Sequence, residues 1–231
     1  MVGSHFGRGE LRRFQLPNLG VAMQCAGFSE EERPYLDLDV DGSKTAAVLD
    51  HLLRTDLTEF VRFKELVCRM IPGCEDLNIE TPQAQLRRID LVVEGGHRIP
   101  AERASAGVRL LLFFLTLVHH PKPLKVVLLE EPENGIHPRR LAEVMDLLRG
   151  LTEGRFGHHK VQIILTTHSP YLLDSVNLDT DQVLVFQREA DGNRTAVPAD
   201  KERLKEFFDG FLLGEVWFNA VEKGLIGAGA P

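Results

Sequence analysis

Two stretches of this chain, Val126-Val127-Leu128-Leu129 and Ile163-Ile164-Leu165, are apolar at every position. A strand with one solvated face alternates apolar and polar side chains, so an unbroken apolar run marks a strand covered on both faces. A parallel sheet flanked by helices provides that cover. The surrounding pattern agrees. A helix is expected from about Ser105 to His119, a strand from Lys125 to Glu130, a helix from Pro138 to Leu148, a strand from Val161 to Thr166 and another from Gln182 to Arg188. The fold class read from this rhythm is α/β, with a mainly parallel sheet between helices.

Upstream the rhythm differs. Residues 1–42 mix Gly, Pro, Arg and Glu without sustained periodicity and read as a connecting segment with a short strand or two. Ala46, Ala47, Val48, Leu49, Leu52 and Leu53 then suggest a helix, and Leu57, Phe60, Val61, Val67 and Met70 a second one that Pro72 and Gly73 stop. Gln85 to Glu94 alternates through Leu86, Ile89, Leu91 and Val93 as a strand, with Gly95-Gly96 as the turn after it. Three regions follow: a connecting segment at 1–42, a small helical lobe with a strand at 43–104, and an α/β core portion at 105–231.

Composition narrows the class without naming a function. A net charge of −7 over 231 residues offers no global attraction to phosphates, so a DNA partner would need a local basic patch. Arg12, Arg13, Arg87, Arg88, Arg139 and Arg140 are the candidates, although paired arginines are usually solvated surface. Cys25, Cys68 and Cys74 have no CxxC spacing and fit a reducing cytoplasm better than a disulfide framework or a zinc site. The longest apolar run, Val108 to Val118, is broken by Arg109 and Thr116 and falls short of the ~20 residues that span a bilayer, so no membrane partner is expected. The C-terminal Phe207, Phe208, Phe211, Val216, Trp217 and Phe218 read as packing rather than base stacking.

Chemistry concentrates where the apolar strands end. The first passes directly into Glu130-Glu131-Pro132-Glu133-Asn134-Gly135-Ile136-His137-Pro138. Ligands of open α/β sheets bind beyond the carboxyl ends of strands, which is where Glu130 and Glu131 are delivered. Two carboxylates abutting four apolar residues are costly unless a cation or bound water uses them. The bland reading is a pair of acids in an exposed loop. The second strand ends in Thr166-Thr167-His168-Ser169-Pro170. There Ser169 and Pro170 read as the N-cap and first residue of a helix, which leaves His168 unexplained. The neighbouring pairs His119-His120 and His158-His159 lack a partner at ligand spacing and are not read as metal sites.

Taken together, these segments resemble the Walker B and switch-histidine motifs of ABC-type ATPases, above all the SMC- and RecF-like heads and the AAA-type ATPases of OLD-like and phage-defence proteins. The resemblance runs from about Asp41 to the end of the chain. It implies a P-loop NTPase-like sheet with a helical lobe, and ATP and Mg²⁺ as cofactors. Glu130, where the family usually has Asp, would help hold Mg²⁺; Glu131 would polarise the attacking water; His168 would contact the γ-phosphate. The family's signature loop corresponds to Glu102-Arg103-Ala104-Ser105-Ala106-Gly107, whose Ser105 and Gly107 backbone would face phosphate at a helix N-terminus. Taken alone, that string is more simply a helix cap. In the family the loop acts on the facing protomer's nucleotide, which implies a head-to-tail ATP-sandwich dimer with Asn134 to His137 as the D-loop at its seam.

The first strand and P-loop of such a fold are not found. Asp41-Gly42-Ser43-Lys44-Thr45 gathers the right residue types, but a P-loop needs G-x-x-x-x-G-K-[ST], and no Gly in the chain is followed by Lys. The segment resembles the Asp-Gly-Ser-Asn stretch that opens the helical lobe in these ATPases. Three readings remain open. One is an ATPase head whose P-loop comes from another segment or chain. Another is a non-catalytic module making dimer or DNA contacts. The last is a metal-dependent phosphohydrolase using Glu130, Glu131, Glu133, His137 and His168.

Overall fold

The computed structural model describes residues 11–15, 23–28, 38–39, 41–122, 124–134, 136–156, 160–188 and 192–200. Its elements in chain order are β1 (Leu11–Gln15), β2 (Gln24–Ala26), α1 (Thr45–Thr55), α2 (Leu57–Met70), β3 (Cys74–Glu80), β4 (Leu86–Val93), β5 (His97–Pro100), α3 (Ala106–Val118), β6 (Val126–Glu130), α4 (Pro138–Glu153), β7 (Gln162–Thr166), α5 (Pro170–Leu173), β8 (Leu184–Arg188) and β9 (Arg194–Pro198). The chain divides into two compact units, residues 1–167 and 168–231. The aromatic-rich segment from Phe207 onward and the pair His158-His159 lie outside the described residues.

In the first unit β6 is the middle strand of a parallel sheet ordered β1-β6-β7. Val127 and Leu129 are buried, as an unbroken apolar strand between two neighbours requires. The registers align Gln15, Glu130 and Thr166 across the three strands, so their carboxyl ends form one rim. β7 departs from expectation. Its residues are alternately exposed and half-buried, and Ile164 is 49% exposed. Among the described residues β7 pairs only with β6, so apolarity alone overstated its cover.

The central support is α3. Every residue from Leu110 to Val118 is buried, because this helix packs against α1, α2 and α4. Phe113 meets Phe14 of β1 edge-on at 5.1 Å between ring centroids, joining helix to sheet. The one polar side chain in the run, Thr116, donates to Leu112 O at 2.7 Å, which removes the cost of burying its hydroxyl.

The lobe is an antiparallel sheet centred on β4, with β3 along one edge and β2 then β5 along the other. α1 and α2 lie near where periodicity placed them. Asp56 caps α2 by accepting from the Glu59 N–H at 3.0 Å. The Gly95-Gly96 turn is made, and both glycines have positive φ (82° and 74°), which any side chain would strain. β3 and β5 were not anticipated. β3 carries three acidic residues in seven and β5 is only four residues long, and pairing to β4 supplies what their composition does not. α4 outruns its expected end at Leu148 by reaching Glu153, where Gly154 (φ 75°) closes it in left-handed conformation.

In the second unit β8 was expected to continue the α/β rhythm. Instead it pairs antiparallel with β9 as a hairpin. So short a connection cannot make a parallel crossover. α5 begins at Pro170 with Ser169 as N-cap, as expected, but the Ser169 side chain makes no capping hydrogen bond. No described helix is long and apolar enough to cross a membrane.

Candidate functional site

The loop after β6 is held by its own backbone. Glu131 sits in left-handed conformation at φ 43°, which costs a non-glycine residue about 1 kcal/mol. Three hydrogen bonds offset that strain. The Glu131 N–H donates to Thr166 O at the end of β7 (2.9 Å), the Asn134 N–H to Glu131 O (3.0 Å), and the Ile136 N–H to Glu133 O (3.0 Å). Pro132 is buried beneath the turn. The reversed backbone at Glu131 turns the chain off the sheet without lifting the loop from the rim.

Side chains then fix the acids. The Asn134 amide donates to Glu131 Oε2 at 2.7 Å, orienting a carboxylate that is otherwise exposed. Glu130 is ion-paired with Arg13 of β1. Thr167, just past β7, donates its hydroxyl to Glu133 Oε1, tying the loop to the neighbouring strand. Glu131 and Asn134, expected to serve one site, are therefore in direct contact. Arg13 and Thr167 were not expected there. Polar positions on β1 and just past β7, the strands that flank β6, are the signal that could have found them, but it needs the strand order.

The remaining expected residues are placed differently. Ser105 is the N-cap of α3, where its hydroxyl accepts from the Val108 N–H at 3.3 Å, so the simple capping reading describes its present contact. The approach to this cap is braced by Arg109, whose Nη1 donates to Glu102 O (3.1 Å) and Ala104 O (2.7 Å). Gly107 lies in the first turn of α3. His137 is the N-cap of α4, its Nδ1 accepting from the Arg139 N–H at 3.3 Å. His168 opens the second unit and is exposed.

The segment 41–45 spends several of its hydrogen-bond donors within its own turn. The Ser43 N–H donates to Asp41 Oδ1 (2.9 Å), the Ser43 hydroxyl to Asp39 Oδ2 (2.9 Å), and the Thr45 hydroxyl to Gly42 O (2.6 Å). A turn that places two carboxylates on its own donors is the reverse of a phosphate cradle. It enters α1 through Lys44 at φ 70°.

Several arginines proposed for a basic patch are committed inside the first unit. Arg87 binds Asp50 (2.8 Å), Arg88 binds Asp90 (2.6 and 2.8 Å), and Arg140 donates to Met70 O (3.0 Å). The Asp50 and Asp90 carboxylates neutralise the charge of Arg87 and Arg88 that phosphate recognition would need. His119 is buried against Phe63 with its Nδ1 on Glu59 Oε1 at 2.6 Å, and His120 Nδ1 lies 2.7 Å from Lys122 O. Among the described residues no three His, Cys, Asp or Glu side chains gather as a potential metal cage. Glu133 is engaged by Thr167, and His137 by the start of α4. Mg²⁺ is commonly held by one or two carboxylates together with phosphates and water, and Glu130 and Glu131 are the carboxylates that would offer oxygens to it at this rim.

A parallel sheet between helices, with carboxylates at its carboxyl rim, gives the first unit an α/β fold of the kind seen in SMC heads. Residues 20–174 match the family described as "AAA domain, putative AbiEii toxin, Type IV TA system", and the chain belongs to that family of AAA-type ATPase domains. Among solved structures, an SMC head bound to the C-terminal winged-helix domain of ScpA shares the fold with a TM-score of 0.50 and 18% identity, covering 68% of this chain and 47% of that one. An SMC ATPase studied for ATP-driven dimerization and DNA-stimulated activation aligns at 17% identity and TM-score 0.49, over 70% of this chain and 95% of its own. The Pyrococcus furiosus Smc head with an extended coiled coil, bound to the ScpA C-terminal domain, gives the same identity and TM-score over 70% and 39%. No curated protein matches.

Proposed function

We propose that this chain supplies the water-activating half of an ATP-hydrolysing site, with the phosphate-binding loop contributed by another segment or another chain. The observation that carries this reading is the Glu131–Asn134 arrangement at the end of a buried parallel strand. The Asn134 amide orients the exposed Glu131 carboxylate, and Glu130 is the residue immediately before it at the strand end. That geometry can orient a water and accept its proton.

In this scheme Glu131 holds and polarises the attacking water while Asn134 keeps its carboxylate oriented. Glu130 supplies an oxygen ligand, and Arg13 must release it when the metal arrives. Bound Mg²⁺ would neutralise charge developing on the transferred phosphoryl group. Ser105 and the backbone at Gly107 would face phosphate across an ATP-sandwich dimer, Asn134 to His137 would line its seam, and His168 would contact the γ-phosphate. The cycle would run in the cytoplasm, and DNA contact would come from the assembled dimer or from appended segments rather than from the paired arginines of the lobe.

Two measurements test this. Equilibrium titration of the purified 231-residue chain with Mg²⁺-ATP should show no saturation up to millimolar nucleotide; micromolar binding would overturn the half-site reading. In an assembly with a P-loop-bearing chain, Glu131→Gln should lower turnover by at least ~100-fold while assembly persists, as expected for loss of the group that activates water. Equal turnover would remove Glu131 from the mechanism.

A further inference from the structure

We infer that Cys68 and Cys74 form an oxidative modification site, a dithiol that closes to a disulfide by exchange with a small disulfide such as oxidised glutathione. Their Sγ atoms are 3.7 Å apart across the turn from α2 into β3. A disulfide needs about 2.05 Å, so the sulfurs must approach by roughly 1.7 Å, within reach of a small side-chain rotation and backbone adjustment.

The turn holds the two thiols face to face. The Cys74 N–H donates to Ile71 O (3.1 Å), and the Glu94 N–H donates to Gly73 O (3.0 Å). One helical turn before Cys68, Lys64 is ion-paired with Asp76 at 2.5 Å, so the same face of α2 is already tied to β3. The third cysteine, Cys25, belongs to β2. Between the pair, Met70 O accepts from Arg140 in the first turn of α4, so the bond would form at a turn on which the helix after the Glu131 loop rests.

The chemistry balances with one oxidant. Cys68, the more accessible thiol, loses its proton, and its sulfur attacks oxidised glutathione to give a mixed disulfide and one reduced glutathione. Cys74 then attacks the Cys68 sulfur, the protein S–S bond forms, and the second glutathione leaves. The protein loses two electrons and two protons, and glutathione disulfide gains them. Burial, then the Cys68 thiol beside it, push the Cys74 thiol up to about 12, which makes Cys74 the slow, resolving partner.

The test uses the intact wild-type chain in reduced and oxidised glutathione buffers, quenched in acid, alkylated and digested with trypsin. Cleavage after Lys64 and Arg69 separates the two cysteines, so a bond leaves peptides 65–69 and 70–87 joined. The expected result is that linked pair, released by reductant, with loss of two thiols per chain and Cys25 still alkylated. Glutathione retained singly on Cys68, linkage through Cys25, or two thiols persisting in oxidised buffer would each overturn the assignment.

Discussion

Asp50 joins α1 to β4, and replacing it should loosen the lobe by an amount its surroundings define. Arg54 Nε reaches both carboxylate oxygens at 3.0 Å and Arg87 Nε reaches Oδ2 at 2.8 Å. The side chains of Asp50 and Arg87 are 12% and 18% exposed, whereas that of Arg54 is 61% exposed. The two arginines therefore differ in worth. Removing one partner of a fully buried pair costs about 3–5 kcal/mol, and an exposed helical pair contributes about 0.3–0.5 kcal/mol. Asp50→Asn keeps the shape but points an amide donor at a guanidinium, and Arg87 recovers some water; we expect a loss of about 2–3 kcal/mol. At this chain length that corresponds to roughly 4–12 °C in Tm. Arg54→Ala should cost no more than about 0.5 kcal/mol. Burial raises the Asp50 pKa, but hydrogen bonds from Arg54 and Arg87, with their charges, outweigh it and leave the carboxyl below its ordinary value. A depressed folded-state pKa gives stability that is present above the unfolded value near 3.9 and is lost as pH falls through the folded one. Asp50→Asn should therefore flatten the acid limb of a stability–pH profile below about pH 4. Thermal melts of both variants from pH 7 downward decide the matter. If Asp50→Asn costs as little as Arg54→Ala, the clamp is not structural.

Three further outcomes follow from packing and conformation. Gly150 lies inside α4, where alanine would normally add about 1 kcal/mol of helix propensity, but its Cβ would come within 2.5 Å of the Phe156 ring. Gly150→Ala should lower Tm, and adding Phe156→Ala should recover much of the loss; a rise in Tm from the single change would refute the contact. Phe113→Ala removes a fully buried ring that bridges α3 and β1, and should cost about 3–5 kcal/mol in chemical denaturation. Asn134→Ala removes the amide that donates to Glu131 Oε2, and in a hydrolysing assembly should lower kcat by about 10-fold without changing Tm by more than a degree or two. An unchanged kcat would show that Asn134 does not position Glu131.

What the sequence determined by itself was local and periodic. The apolar run at 126–129 identified a covered strand because it is short and is stopped by charged and turn-forming residues, whereas the longer run in α3 made a buried helix. The acids after it had to emerge at that strand's end, and helical spacing located α1 to α4. These are properties of neighbours along the chain. Only the tertiary structure decided that Thr166 O would hold Glu131 in a left-handed turn, that Arg13 would come to Glu130 from β1, and that β7 would stand half-exposed. It also showed Arg87 and Arg88 neutralised by Asp50 and Asp90, and placed Cys68 against Cys74. Each of those depends on strand order or on a contact between elements, and the free energy that selects them comes from pairing and burial across sequence distances that periodicity does not record.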